Sequence, residues 1–92
     1  MLSDCEIFWK EIQNIQRETV DIFLSKITKY DDMENLLQDV SYEVIYGMLE
    51  LLDGLKNDEI KGNIITVSNG NVINSHMDLH NYCEDYLKCS KV

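Results

Sequence analysis

Apolar residues return every three or four positions in two long stretches of this chain. Between 33 and 55, Met33, Leu36, Leu37, Val40, Val44, Met48, Leu51, Leu52 and Leu55 fall on one broad stripe of a helix. Ile45 and Leu49 widen it, while Glu34, Gln38, Asp39, Glu43, Glu50 and Asp53 mainly take the other side. Asp53-Gly54 supplies the stop signal, because glycine accepts the left-handed conformation that closes many helices. An earlier stretch, 4–29, carries Phe8, Ile12, Ile15, Thr19, Phe23 and Ile27 on one stripe, broadened by Trp9, Val20 and Leu24. Trp9 is expected in the core, since a large aromatic surface stabilises most when buried. Ser3 and Glu6 have the spacing of a capping box at the start of this first helix. Tyr30-Asp31-Asp32 separates the two stretches, with an aspartate placed to cap the second. So short a break predicts an antiparallel helical hairpin. Gly47, inside the second helix, costs about 1 kcal/mol relative to Ala unless it permits close approach of a neighbour.

Beyond 62 the period changes. Residues 63–74 read NIITVSNGNVIN, β-branched residues on both sides of Asn69-Gly70. That dipeptide is a strong hairpin-turn signal. A two-residue loop would set Ser68 opposite Asn71, Val67 opposite Val72 and Thr66 opposite Ile73. Such a ribbon is marginal alone and needs the helices behind it. A last helix is expected over 76–89, opened by a second box at Ser75 and Asp78 and packed through Leu79, Tyr82, Cys83, Tyr86 and Leu87. Residues 90–92 read as a frayed tail. The predicted architecture is therefore one α+β domain over 1–92: two long antiparallel helices, a small β-hairpin and a C-terminal helix. An all-α three-helix bundle is the alternative if 64–73 is loop.

Charge narrows the partners. Seventeen acidic residues face eight Lys and Arg, a formal net charge of −9 and a pI near 4.4. No concentrated basic surface is present for a nucleic-acid backbone or an anionic membrane. No run approaches the roughly 18 apolar residues of a membrane span, and the N-terminal stretch, with Asp4 and Glu6, is not built like a signal peptide. Three cysteines without a CxxC pair read as reduced thiols. A cytoplasmic location is the expectation. A basic protein is the natural partner for such a chain, and acidity also serves solubility.

Catalytic chemistry finds little support. His76 and His80 are four apart, with Cys83 three residues further on, so a small zinc site is one reading. HMDLH lacks the glutamate of the HExxH pattern, and a full ligand set is missing. Cys83 with His80 as nucleophile and base lacks an oxyanion site. The pairs Asp39/Glu43 and Glu50/Asp53 lie at helical spacing, but acid–base work needs unequal environments that spacing alone does not supply. SNGN is not a phosphate loop, and DDMENLLQD does not fit a calcium loop. No catalytic residue, metal or cofactor is therefore expected.

The segments YEVIYGMLELLDG at 42–54 and NGNVINSHMDLH at 69–80 resemble small bacterial proteins with an LLDG-type helix end followed by a DLH-containing terminal helix. Some of these look like immunity proteins of polymorphic toxin systems. The resemblance covers about the last 50 residues. It implies an α-rich protein that binds and masks a toxin, with no chemistry of its own and no family residues to carry over. On charge and aromatic interleaving, the expected partner-binding residues are Asp39, Tyr42, Glu43, Tyr46, Glu50 and Asp53. A structural or regulatory homodimer and a small metal-binding protein are the competing functions.

Overall fold

Two of the three expected helices form as helices of length. The computed structural model describes residues 3–61 and 63–89. Helix α1 spans Asp4–Leu24 and α2 spans Met33–Leu52. Ser3 Oγ accepts the Glu6 amide at 3.1 Å, and its hydroxyl faces the Glu6 carboxylate at 3.2 Å. One half of the capping box is made through the backbone, and the return bond goes side chain to side chain. Asp32 caps α2 by accepting the Glu34 amide at 2.8 Å.

The first helix stops five residues short of its expected end. Ser25 closes it, Lys26 leaves the helical region at φ −132, and a single 3₁₀ turn follows over Ile27–Lys29. Tyr30 then points back into the hairpin. Its hydroxyl donates to the Asp39 carboxylate, and its ring lies 6.2 Å from that of Phe23. The turn is thus tied to both helices. Further along, Ile15 lies against Gly47: a Cβ at 47 would sit 3.1 Å from Ile15 Cγ2. Gly47 is where the helices approach closely, which accounts for a glycine inside α2.

Helix α2 ends in a Schellman motif. Gly54 has φ 84, its amide bonds Leu51 O at 3.0 Å, and the Leu55 amide bonds Glu50 O at 3.0 Å. The connection that follows runs beside the start of α1, where Asn57 Nδ2 donates to Glu11 Oε1 at 3.2 Å and Ile60 is half-buried near Ile7 and Phe8.

The α+β expectation is corrected here. No β-strand forms among the described residues, and the structure is helical. Of the predicted ribbon only an isolated antiparallel bridge remains, Thr66 with Val72. Its register is one residue off the expected one. The Val67 amide bonds Asn71 O at 3.0 Å and the Gly70 amide bonds Val67 O at 2.8 Å, with Gly70 at φ 90. The loop therefore has three residues, with glycine in the left-handed position that such loops require. Two causes stop the ladder. Asn74 intrudes with its side chain: Oδ1 accepts the Ile65 amide at 2.8 Å and Nδ2 donates to Asn63 O at 2.7 Å. In addition, Ile64, Val67, Val72 and Ile73 all stay exposed, so no helix backs the ribbon.

The expected helix over 76–89 is also reduced. A 3₁₀ turn, Leu79–Tyr82, leads into a single α-helical turn, α3, Cys83–Tyr86. Met77 takes φ 54, which a helix does not admit, so the Ser75–Asp78 box has no helix to open. The His80 amide, which a continuous helix would give to residue 76, donates instead to the Asp53 carboxylate at 3.0 Å. The tail at 90–92 lies outside the described residues.

The resulting molecule is a helical hairpin with the C-terminal turns packed on one side of α2. The core is small: Ile15, Phe23, Leu51 and Cys83, with Thr19 closing it by donating to Ile15 O at 2.7 Å. Trp9 is corrected from its expected place there. It is 58% exposed, on the side of the hairpin away from the C-terminal turns, where no second layer among the described residues covers α1. No helix among the described residues is long and apolar enough to cross a membrane.

Candidate functional site

The face of α2 turned toward the C-terminal segment carries the tyrosines and most of the acids singled out by sequence. Tyr42 and Tyr46, one helical turn apart, stack with centroids 6.3 Å apart and planes 12° from parallel. The His80 ring meets Tyr46 edge-on at 5.6 Å. Around them Asn81 and Glu84 complete a shallow polar depression of about 170 Å³. A second hollow, of about 290 Å³, continues past Tyr42 along Glu84, Asp85, Leu87 and Cys89.

The six expected residues divide by depth. Tyr42, Glu43, Tyr46 and Glu50 are partly exposed. Glu50 meets Lys56 at 3.8 Å, an ion pair of modest worth at a partly exposed position. Asp39 and Asp53 are buried and engaged within the molecule: Asp39 receives the Tyr30 hydroxyl, and Asp53 receives His80 twice. These two carboxylates hold the fold together and do not line the surface. The helical period placed them on the polar side of α2, and the turn at Tyr30 and the C-terminal segment then covered them.

His80 is the residue whose role spacing did not reveal. Its Nδ1 lies 2.6 Å from Asp53 Oδ2, the same oxygen that accepts its backbone amide. A carboxylate only accepts, so Nδ1 carries the proton and the ring orientation is fixed. Asp53 Oδ1 is buried with no hydrogen-bond partner among the described residues. His76 sits in the loop on no shared helix with His80, so the i,i+4 premise of a metal face does not apply. Among the described residues no group of three His, Cys, Asp or Glu has the arrangement to hold a metal ion.

Burial raises the pKa of the Cys83 thiol, and the nearby Asp53 charge adds to the shift. A thiol held protonated is a poor nucleophile, and it has packing as its evident role. Both tyrosine hydroxyls are also pushed up, first by burial. For Tyr42 the next causes are Cys83, Cys89 and Glu84; for Tyr46 they are Glu50, Cys83 and Glu43. These groups are neutral when protonated, so the unfolded chain releases their protons first as pH rises. Stability is fully present below the ordinary values of 9.0 for Cys and 10.0 for Tyr and falls as pH climbs past them toward the raised values. Urea midpoints measured from pH 7 upward should therefore drop above about pH 9. The drop should shrink in Tyr42→Phe/Tyr46→Phe; an unchanged drop would assign the alkaline loss to other groups.

Comparison of the chain with protein-family models, with curated proteins and with solved structures gives no match. The site itself is a pair of hydroxyls, held protonated by burial, on stacked rings rimmed by Glu43, Glu50 and Glu84.

Proposed function

We propose that this protein is a non-enzymatic binding module that docks a basic protein surface on the Tyr42–Tyr46 face. The observation that carries the reading is the stacked tyrosine pair set among Glu43, Glu50 and Glu84. Partly buried tyrosines offer rigid aromatic area with a donor hydroxyl, and surrounding carboxylates favour Lys or Arg side chains over the rings. The net charge of −9 supports the same partner, since an acidic surface steers a basic domain toward encounter. In the form that the sequence resemblance implies, the partner is a toxin domain and binding masks its active cleft.

The test is copurification from the native host followed by binding measurements on the partner recovered. Glu43→Lys/Glu84→Lys should slow association at low salt by about tenfold or more and flatten its salt dependence. Tyr46→Ala should act on dissociation. A partner that is acidic, or a basic one whose binding ignores all three changes, rules this face out.

A further inference from the structure

The side of the hairpin opposite the C-terminal turns is apolar and is left uncovered by the described residues. Trp9, Ile12, Gln13, Gln16, Val44 and Met48 line a groove of about 370 Å³ between α1 and α2. Helical spacing extends it: Val20 follows Gln16 by four positions on α1, and Leu37 precedes Val44 by seven on α2. Val20 is 50% and Leu37 61% exposed. None of these eight residues is charged, in a chain with 27% charged residues.

We infer that this face is the interface of a symmetric homodimer, in which two helical hairpins pack into a four-helix arrangement. Surface area argues for a second copy. The chain exposes 6828 Å², against about 5,500 Å² for a folded monomer of its mass. The excess, about 1,300 Å² over the whole chain and shared with the exposed 63–74 segment, leaves room for the roughly 800 Å² per partner of a standard stable interface. Shape agrees. The radius of gyration is 15.1 Å, where a chain of this length folded alone has about 12 Å. The shortest dimension of the Cα trace is 18 Å of 43 × 36 × 18 Å. Domains need two packed layers around a core, and on this side the hairpin lacks one. Charge selects the same occupant. Two copies at −9 each repel wherever their acidic surfaces meet, and a neutral apolar face is where they approach without that cost. A basic partner has no carboxylate to meet in this groove. A two-fold axis also lets one self-complementary patch serve both copies. This inference is independent of the binding role proposed for the Tyr42–Tyr46 face.

Sedimentation and light scattering from micromolar to submillimolar protein test it. The expected mass is twice 10.8 kDa, falling to the monomer on dilution. Val20→Glu and Leu37→Glu should each weaken dimerisation by about 100-fold or more, because each charge enters the interface twice. Both positions are exposed in the single chain, so far-UV circular dichroism should stay helical. Ile64→Glu, on an exposed residue of the 63–74 segment, should leave the dimer intact. Trp9, the single tryptophan, gives a readout without mutation: its emission should shift to the blue and resist acrylamide quenching as concentration rises. A wild-type monomer at every concentration overturns the inference. So does a dimer in which Trp9 keeps the emission of an exposed indole, or one that both face variants leave unchanged.

Discussion

Leu51→Ala should remove about 3 kcal/mol of stability, within the roughly 2–5 kcal/mol range of large-to-small core changes. Leu51 is 0% exposed, on the turn of α2 that follows Gly47. The loss has two parts: the transfer free energy of the deleted atoms, and the cavity that remains where the walls do not close. Here the walls have little freedom. On the next turn up, Gly47 is already against Ile15, and on the turn below, Gly54 is fixed in the Schellman closure by its bond to Leu51 O. A domain of this size holds only about 5–15 kcal/mol in total, so the substitution takes a large share. Urea unfolding followed by circular dichroism measures it; a change below about 1 kcal/mol would mean that the core collapses freely onto the deleted side chain.

The second large effect is expected at Asp53, which is 1% exposed. Asp53→Ala strips the acceptor from two donors at once, the His80 amide and His80 Nδ1. Leaving buried donors without partners costs about 1–3 kcal/mol each, more where charge is involved, so a loss of about 3 kcal/mol is expected. His80→Ala should cost less, because the backbone amide at 80 still reaches the carboxylate. Asp53→Asn should fall between wild type and Asp53→Ala, since its carbonyl keeps one acceptor. The unpartnered Oδ1 offsets part of what the pair contributes, so the cost of breaking it exceeds its net worth. A double-mutant cycle on Asp53→Ala and His80→Ala should give a coupling of about 1–2 kcal/mol, whereas additivity within about 0.5 kcal/mol would remove the pair as a tie. Amide exchange across 79–86 should rise in Asp53→Ala, because this contact holds the C-terminal turns against α2. The same change should loosen His80 from Tyr46, so the tyrosine face depends on a carboxylate that never reaches the surface.

That dependence explains how far the candidate site is legible in the sequence. Tyr42, Glu43, Tyr46 and Glu50 were readable as one side of a helix, because helical spacing is a local rule. Asp39 and Asp53 obey the same rule and yet are buried. Their burial comes from Tyr30 reaching across nine positions and His80 across twenty-seven, and neither contact has a signature in spacing. The four-residue spacing of His76 and His80 makes a metal face only on a helix over 76–80, and the long-range bond from the His80 amide to Asp53 is what denies that helix.

The sequence by itself determined what is local: the two amphipathic helices, their caps at Ser3 and Asp32, the glycine stop at Gly54, and the place of a turn at Asn69-Gly70, though not its three-residue length. Each follows from the backbone preference or hydrogen-bonding reach of residues a few positions apart. Tertiary structure decided the rest. It replaced the ribbon by a single bridge, because the Asn74 side chain took the next ladder positions and no helix backed the apolar residues. It shortened the last helix, because Asp53 offered the His80 amide a better acceptor. It also left Trp9 outside the core, because a hairpin has two sides and the C-terminal segment covers only one. Apolar periodicity tells which residues seek cover, and only the packed chain shows which of them its own length supplies.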